Sequence, residues 1–144
     1  MIRPLLSIAA SAGFLALSLS ATNARADNNA IMTAPPEPPY KAVSSLVKLP
    51  DFIPGLGQLF VDPATLPAGP FLGYDRKGRL ISTTYMIPLS MIKQDMNLDA
   101  LKAPAGKVDH VDMLYNAGHP GVEEPHVHIT LWNVSSDEEG RAAK

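Results

Sequence analysis

Proline and glycine cut this chain into pieces too short for long helices. Fourteen prolines and ten glycines are spread over 144 residues, and each proline removes a backbone donor and fixes φ. Past residue 42 the text is short apolar runs closed by Pro or Gly. Gln58-Leu59-Phe60-Val61 stops at Asp62-Pro63, and Phe71-Leu72-Gly73-Tyr74 follows Gly69-Pro70. Asp75-Arg76-Lys77-Gly78 reads as a turn leading into a long strand over 79–87, the clearest hairpin signal present. Alternation places Ile81, Thr83, Tyr85 and Ile87 on one face and Leu80, Ser82, Thr84 and Met86 on the other. Both faces are semi-apolar, as in a strand covered on both sides. Further strands are expected over 107–115 and 126–134. Only 89–102 has helical spacing, through Leu89, Ile92 and Met96, with Asn97 as cap of a second turn ending at Leu101. The expected fold is mainly β: a small antiparallel sandwich or barrel with one or two short helical turns.

Residues 1–26 read as a secretory signal peptide. Arg3 is the positive start, residues 5–19 are the apolar stretch, and Ala24-Arg25-Ala26 is the cleavage site. About 15 apolar residues are too few to span a bilayer, which needs roughly 20, so no membrane span is expected after cleavage and the location is periplasmic or secreted. Residues 27–41, with Ala34-Pro35-Pro36-Glu37-Pro38-Pro39, read as a Pro-rich linker. The β-rich domain then covers 42–136, and the charged end at 137–144 is expected to fray. Loss of Arg3 and Arg25 leaves 10 basic and 14 acidic residues, a charge of about −4, which offers no footprint for nucleic acid. There is no cysteine, so no disulfide, thiol nucleophile or Cys-based zinc finger is available. A cysteine-free domain of about 100 residues gains core by burying faces between subunits, so a homo-oligomer is expected.

All four histidines, His110, His119, His126 and His128, fall close together in the last third of the chain. Neutral imidazole offers a lone pair near neutral pH, and zinc or copper takes three or four such donors. His126 and His128 are two apart in an expected strand, so both leave the same face, continued by Thr130 and Trp132. Val127, Ile129 and Leu131 form the opposite face and are expected to be the core side. His119, in Gly118-His119-Pro120-Gly121, could fold over the strand end as third ligand. His110 joins only if 107–115 pairs with 126–134 in the right register. Asp112, Glu123 and Glu124 are nearby carboxylates that could ligate or orient an imidazole.

Other chemistries find little support. There is no Gly-x-Ser-x-Gly elbow, no nucleotide loop after Gly55-Leu56-Gly57, and no close carboxylate pair in an apolar setting. A cupin-like metal-dependent enzyme would place a Glu shortly after His-x-His, where this chain has Thr130, Leu131, Trp132 and Asn133. Met86, Met91, Met96 and Met113 raise periplasmic copper handling as a further alternative, although their spacing matches neither a helix face nor a tight cluster.

Four segments carry a family resemblance: Leu66-Pro67-Ala68-Gly69-Pro70-Phe71-Leu72-Gly73-Tyr74-Asp75, Tyr85-Met86-Ile87-Pro88-Leu89, Tyr115-Asn116-Ala117-Gly118-His119-Pro120 and Pro125-His126-Val127-His128. Together they resemble a family of secreted bacterial domains of unassigned activity. Its structural representative is a ring-forming thermophile protein under an extracytoplasmic-stress sigma factor. In that family the last motif reads Pro-His-x-Asp-x-His followed by an aromatic residue. Here His126 and Trp132 match, whereas His128 stands at the Asp position and Thr130 at the second His. The resemblance implies a β-rich fold, a shared polar strand face and ring assembly, and no reaction. The resulting expectation is a secreted binding or self-assembling envelope domain with a candidate histidine metal site. Its small-molecule or protein partner is not identifiable from the sequence.

Overall fold

The structure is a computed structural model that describes residues 30–99, 101 and 106–143. The expected signal peptide at 1–26 and the first three residues of the expected linker lie outside the described residues. Among the described residues there are six antiparallel strands: β1 (Lys41–Ala42), β2 (Gln58–Val61), β3 (Phe71–Tyr74), β4 (Leu80–Pro88), β5 (His110–Asn116) and β6 (His126–Trp132). The mainly β, antiparallel class expected from the sequence is what forms. The strands build a single sheet in the order β1-β2-β3-β4-β6-β5, with β1 and β5 at its edges, in place of two facing sheets or a closed barrel. The helical candidate at 89–102 supplies one 3-10 turn, Leu89–Met91. The expected second turn from Asn97 to Leu101 includes residue 100, which lies outside the described residues; the Asn97 side chain donates to the Asp99 carboxylate.

The β3–β4 hairpin forms at Asp75–Gly78, where Gly78 takes the positive φ of 71° that the turn requires. A register shift opposite the Gly73–Tyr74 step pairs Tyr74 with Leu80 and Gly73 with Ser82. This bulge breaks the expected alternation. Leu80 joins Phe60, Leu72, Tyr74 and Ile31 in one apolar cluster, while Met86 packs with Leu59, Val61, Phe71 and Val43 on the other side. Every residue of β4 is buried, because the sheet is covered on both faces here.

Two of those covers correct the sequence reading. Part of the expected linker belongs to the domain: Ile31 is buried, its carbonyl accepts the Tyr74 hydroxyl at 2.7 Å, and Ala34 N–H bonds Gly78 O. A proline-rich strip makes few backbone bonds, so apolar side chains and isolated carbonyls hold it to the sheet. The tail expected to fray instead forms a 3-10 helix, Ser136–Ala142. Ala142 is buried with Ile81, Trp132 and Val134, and Arg141 reaches the buried Asp75.

The segment 43–57 lies over the Leu59, Val61 and Phe71 side of the sheet, contributing Val43, Val47, Leu49, Ile53 and Leu56. The pairings Met86 with His128 and Pro88 with His126 extend that same side onto β6. The sheet face that carries the histidines is therefore the one facing the core. Along β6, His126, His128, Thr130 and Trp132 are buried, while Val127, Ile129 and Leu131 are half-buried. This reverses the expected core side.

Candidate metal centre

Strand alternation places His126 and His128 together, and a turn brings in His119. Asn116 ends β5 opposite His126, and its Oδ1 accepts the Gly118 N–H at 2.8 Å. His119 and Val122 then exchange backbone hydrogen bonds of 2.9 and 3.0 Å across Pro120-Gly121. Proline followed by glycine at positive φ (93° at Gly121) matches the needs of a type II turn. Gly118 has φ 125°, and a Cβ there would lie 2.3 Å from the carbonyl oxygen of Glu123. Gly118→Ala should therefore displace His119 and weaken zinc binding by about tenfold or more, with β6 intact. Isothermal titration beside circular dichroism would check this.

The three imidazoles converge through their Nε2 atoms. His126 Nε2 lies 3.2 Å from His119 Nε2 and 2.9 Å from His128 Nε2. One donor atom from each ring falls within 4.8 Å of the other two. A tetrahedral zinc with Zn–N near 2.05 Å has neighbouring donors about 3.3 Å apart. His126 is 0% exposed and His128 7%. The rings also lie at ring-packing distance, 4.8 Å between centroids for His126–His128 and for His126–His119.

Proton placement says more than distance. His126 Nδ1 is 2.7 Å from the Glu124 carbonyl and His119 Nδ1 is 3.1 Å from the Pro120 carbonyl. A carbonyl only accepts, so both Nδ1 atoms carry hydrogen and both Nε2 atoms present lone pairs. In the neutral trio only His128 can supply a proton to the two Nε2···Nε2 contacts. One contact then sets lone pair against lone pair. An extra proton is disfavoured at His128, where burial first, then the neighbouring His126 and His119, lower the pKa to about 4. A cation coordinated by all three Nε2 atoms removes the conflict. Fixing Nδ1–H on a carbonyl is also how ligating histidines are ordinarily oriented.

The remaining sequence candidates lie elsewhere. His110 pairs opposite Trp132, whereas His126 pairs opposite Asn116 at the far end of the same strands. Six strand positions put these sites about 20 Å apart, so the register excludes His110 from the trio. Its rings atoms contact Asp109 and Glu139, both at 3.0 Å, and it stacks on Trp132. Asp109 foremost, with Glu139, raises its pKa. His110, Asp112 and Glu139 form a second group of donor atoms, but Asp112 accepts the Trp132 Nε1–H at 2.9 Å. Among the expected carboxylates, Glu124 orients His126 through its backbone, and its side chain accepts from Ser90. Thr130 shares a hydrogen bond with Thr84. Met86 is buried on the histidine face; Met91, Met96 and Met113 are exposed, with Met113 on the opposite face of the sheet, paired with Ile129. The methionines do not form one cluster.

One feature of the site has no signature in sequence. A cavity of about 220 Å³ adjoins the trio, with His119 and His128 in its wall. Its apolar lining comes from residues scattered between 43 and 122, and only folding assembles them. Among the described residues no helix is long and apolar enough to cross a membrane.

No family model matches the chain, and no curated protein matches it. A solved structure does: a hypothetical protein from Thermus thermophilus, 47% identical, with a TM-score of 0.55. The match covers 66% of this chain and 87% of that one. With that identity over most of the relative's length, the chain belongs to the same family as this Thermus thermophilus protein.

Proposed function

We propose that the protein is an exported β-rich domain that binds one divalent transition-metal ion, zinc or copper(II), through His119, His126 and His128. The observation that carries this reading is the convergence of three Nε2 atoms, two of them with Nδ1–H committed to carbonyls. Neutral imidazoles suit both ions. With three protein ligands and a fourth position open, the centre has the form of a binding or catalytic site more than a closed structural one. Titration with each ion, followed by dialysis and metal analysis, should leave one equivalent bound. Protein that retains no metal at micromolar concentration would remove the proposal.

Self-association is a second reading, favoured by one surface. Val111, Met113 and Tyr115 are 57%, 73% and 66% exposed on edge strand β5, beside the half-buried Val127, Ile129 and Leu131. In the same row, Tyr85 on β4 is buried with a hydroxyl that has no hydrogen-bond partner among the described residues. An exposed apolar edge strand invites pairing with another chain, and a second copy is the occupant in keeping with a cysteine-free fold. Met113→Lys should convert an oligomer to monomer in sedimentation velocity without lowering the melting temperature of the monomer. A wild type that stays monomeric at tens of micromolar would eliminate this reading.

A further inference from the structure

The apolar cavity and the histidine trio share a wall. His119 and His128 contribute to its lining, and among the described residues the only other strongly polar lining side chain is Asn116. Asn116 uses Oδ1 to accept from Gly118, which leaves its amide N–H groups for a ligand. The rest of the lining is apolar, including Leu59, Val61, Phe71 and the Met86 thioether, and among the described residues it contains no Asp, Glu, Lys or Arg. Leu46 and Leu66, 38% and 46% exposed, mark the mouth.

We infer that centre and cavity are one site, which takes a small monocarboxylate with a hydrocarbon body, carboxylate on the metal and hydrocarbon in the cavity. This rests on the metal-binding reading. His126 is fully buried and does not line the cavity, whereas His119 and His128 do, which puts the open coordination position on the cavity side. Three neutral imidazoles leave the two positive charges of the ion uncompensated, and no carboxylate of the chain joins the trio among the described residues. An anion entering there meets an unscreened cation in a medium of low dielectric, where the attraction is strongest. The Asn116 amide can donate to its second oxygen. The apolar walls then select what is attached. A cavity of about 150 Å³ holds benzene, so about 220 Å³ accommodates a phenyl ring or a chain of roughly six carbons.

The test is titration calorimetry with hexanoate, acetate and hexan-1-ol into zinc-loaded and zinc-free protein. Acetate carries the head alone and hexanol the tail alone. Hexanoate should bind the zinc-loaded protein about tenfold or more tighter than either, because only it gains both metal contact and apolar burial. Removing zinc should reduce its affinity by a similar factor. In cobalt(II)-substituted protein, hexanoate should alter the visible ligand-field absorption. Leu49→Trp, which fills the cavity, should keep one equivalent of zinc and lose the preference for hexanoate over acetate. Retained zinc shows that this variant has folded. If zinc binds at the trio but hexanoate does no better than acetate, or no better than hexanol, or leaves the cobalt spectrum unmoved, the inference falls and the metal reading stands. If zinc fails to bind, both fall together.

Discussion

Replacing His126 and His128 together by alanine should abolish stabilisation of the protein by zinc. A ligand that binds only the folded form, present at 100 times its dissociation constant, stabilises by about 2.7 kcal/mol. For a domain of this size that amounts to roughly 10–20 °C in melting temperature. The double variant should melt at one temperature with or without zinc. A zinc-induced rise equal to the wild-type one would place the metal elsewhere. The metal-free protein carries a second signature. Burial lowers the His128 pKa from the ordinary 6.5 to about 4, so between those values the unfolded chain binds a proton that the folded one refuses. Stability should be complete above about pH 6.5 and should fall as the pH drops towards 4, by on the order of 3 kcal/mol. His128→Ala should flatten that slope. Added zinc should steepen it, since protons and metal compete for the same Nε2 atoms.

Asp75→Ala should be strongly destabilising although it lies outside the site. Asp75 is 4% exposed and accepts five hydrogen bonds. Two come from the Lys77 and Arg79 backbone N–H groups, both at 2.9 Å. Three come from guanidinium nitrogens: Arg79 Nε at 3.0 Å, Arg141 Nε at 3.0 Å and Arg141 Nη2 at 2.6 Å. Burial alone would raise its pKa, but these donors together hold it at about 2. Alanine strips the β3–β4 turn of its acceptor and unties the C-terminal 3-10 helix, at a cost of about 3 kcal/mol or more. That helix in turn accepts the Gly55 N–H at the Ala142 carbonyl, so its release also loosens the segment 43–57 over the cavity. Arg141→Ala should free the C-terminus to carboxypeptidase while keeping the turn, and should cost less. Because the folded pKa is depressed, the Asp75 contribution is present above about pH 4 and disappears as the pH falls towards 2. An Asp75→Ala protein melting within about 2 °C of wild type would contradict this account, since a loss of this size predicts a shift several times larger.

Much of the local structure was legible from residue order. Turn chemistry at Asp75–Gly78 located the β3–β4 hairpin, and alternation located β6. The two-residue spacing of His126 and His128 put both on one strand face. The loop before β6 put His119 within reach of that face, although the turn that brings it there, across Pro120-Gly121, was visible only in the structure. Such features depend on φ preferences and side-chain direction over a few residues, which the sequence carries directly.

Three other decisions were made by packing. The first is which face of β6 is buried. Apolar Val127, Ile129 and Leu131 resemble a core side, yet His126 and His128 are the residues enclosed, because segment 43–57 lies over their side of the sheet and no local pattern in β6 records that cover. The second is the exclusion of His110, which follows from a pairing register set along the whole of β5 and β6. The third is the anchoring of both ends. Ile31 and Arg141 are held by Tyr74 and Asp75, more than forty residues away in the chain. The sequence by itself determined a cysteine-free β domain with histidines grouped on one strand and the loop before it, since strand periodicity and turn preference are local. Only the tertiary structure decided that three of those histidines converge, that two of them, His126 and His128, are buried, and that the trio adjoins an apolar cavity, because burial is settled by segments that meet only once the chain has folded.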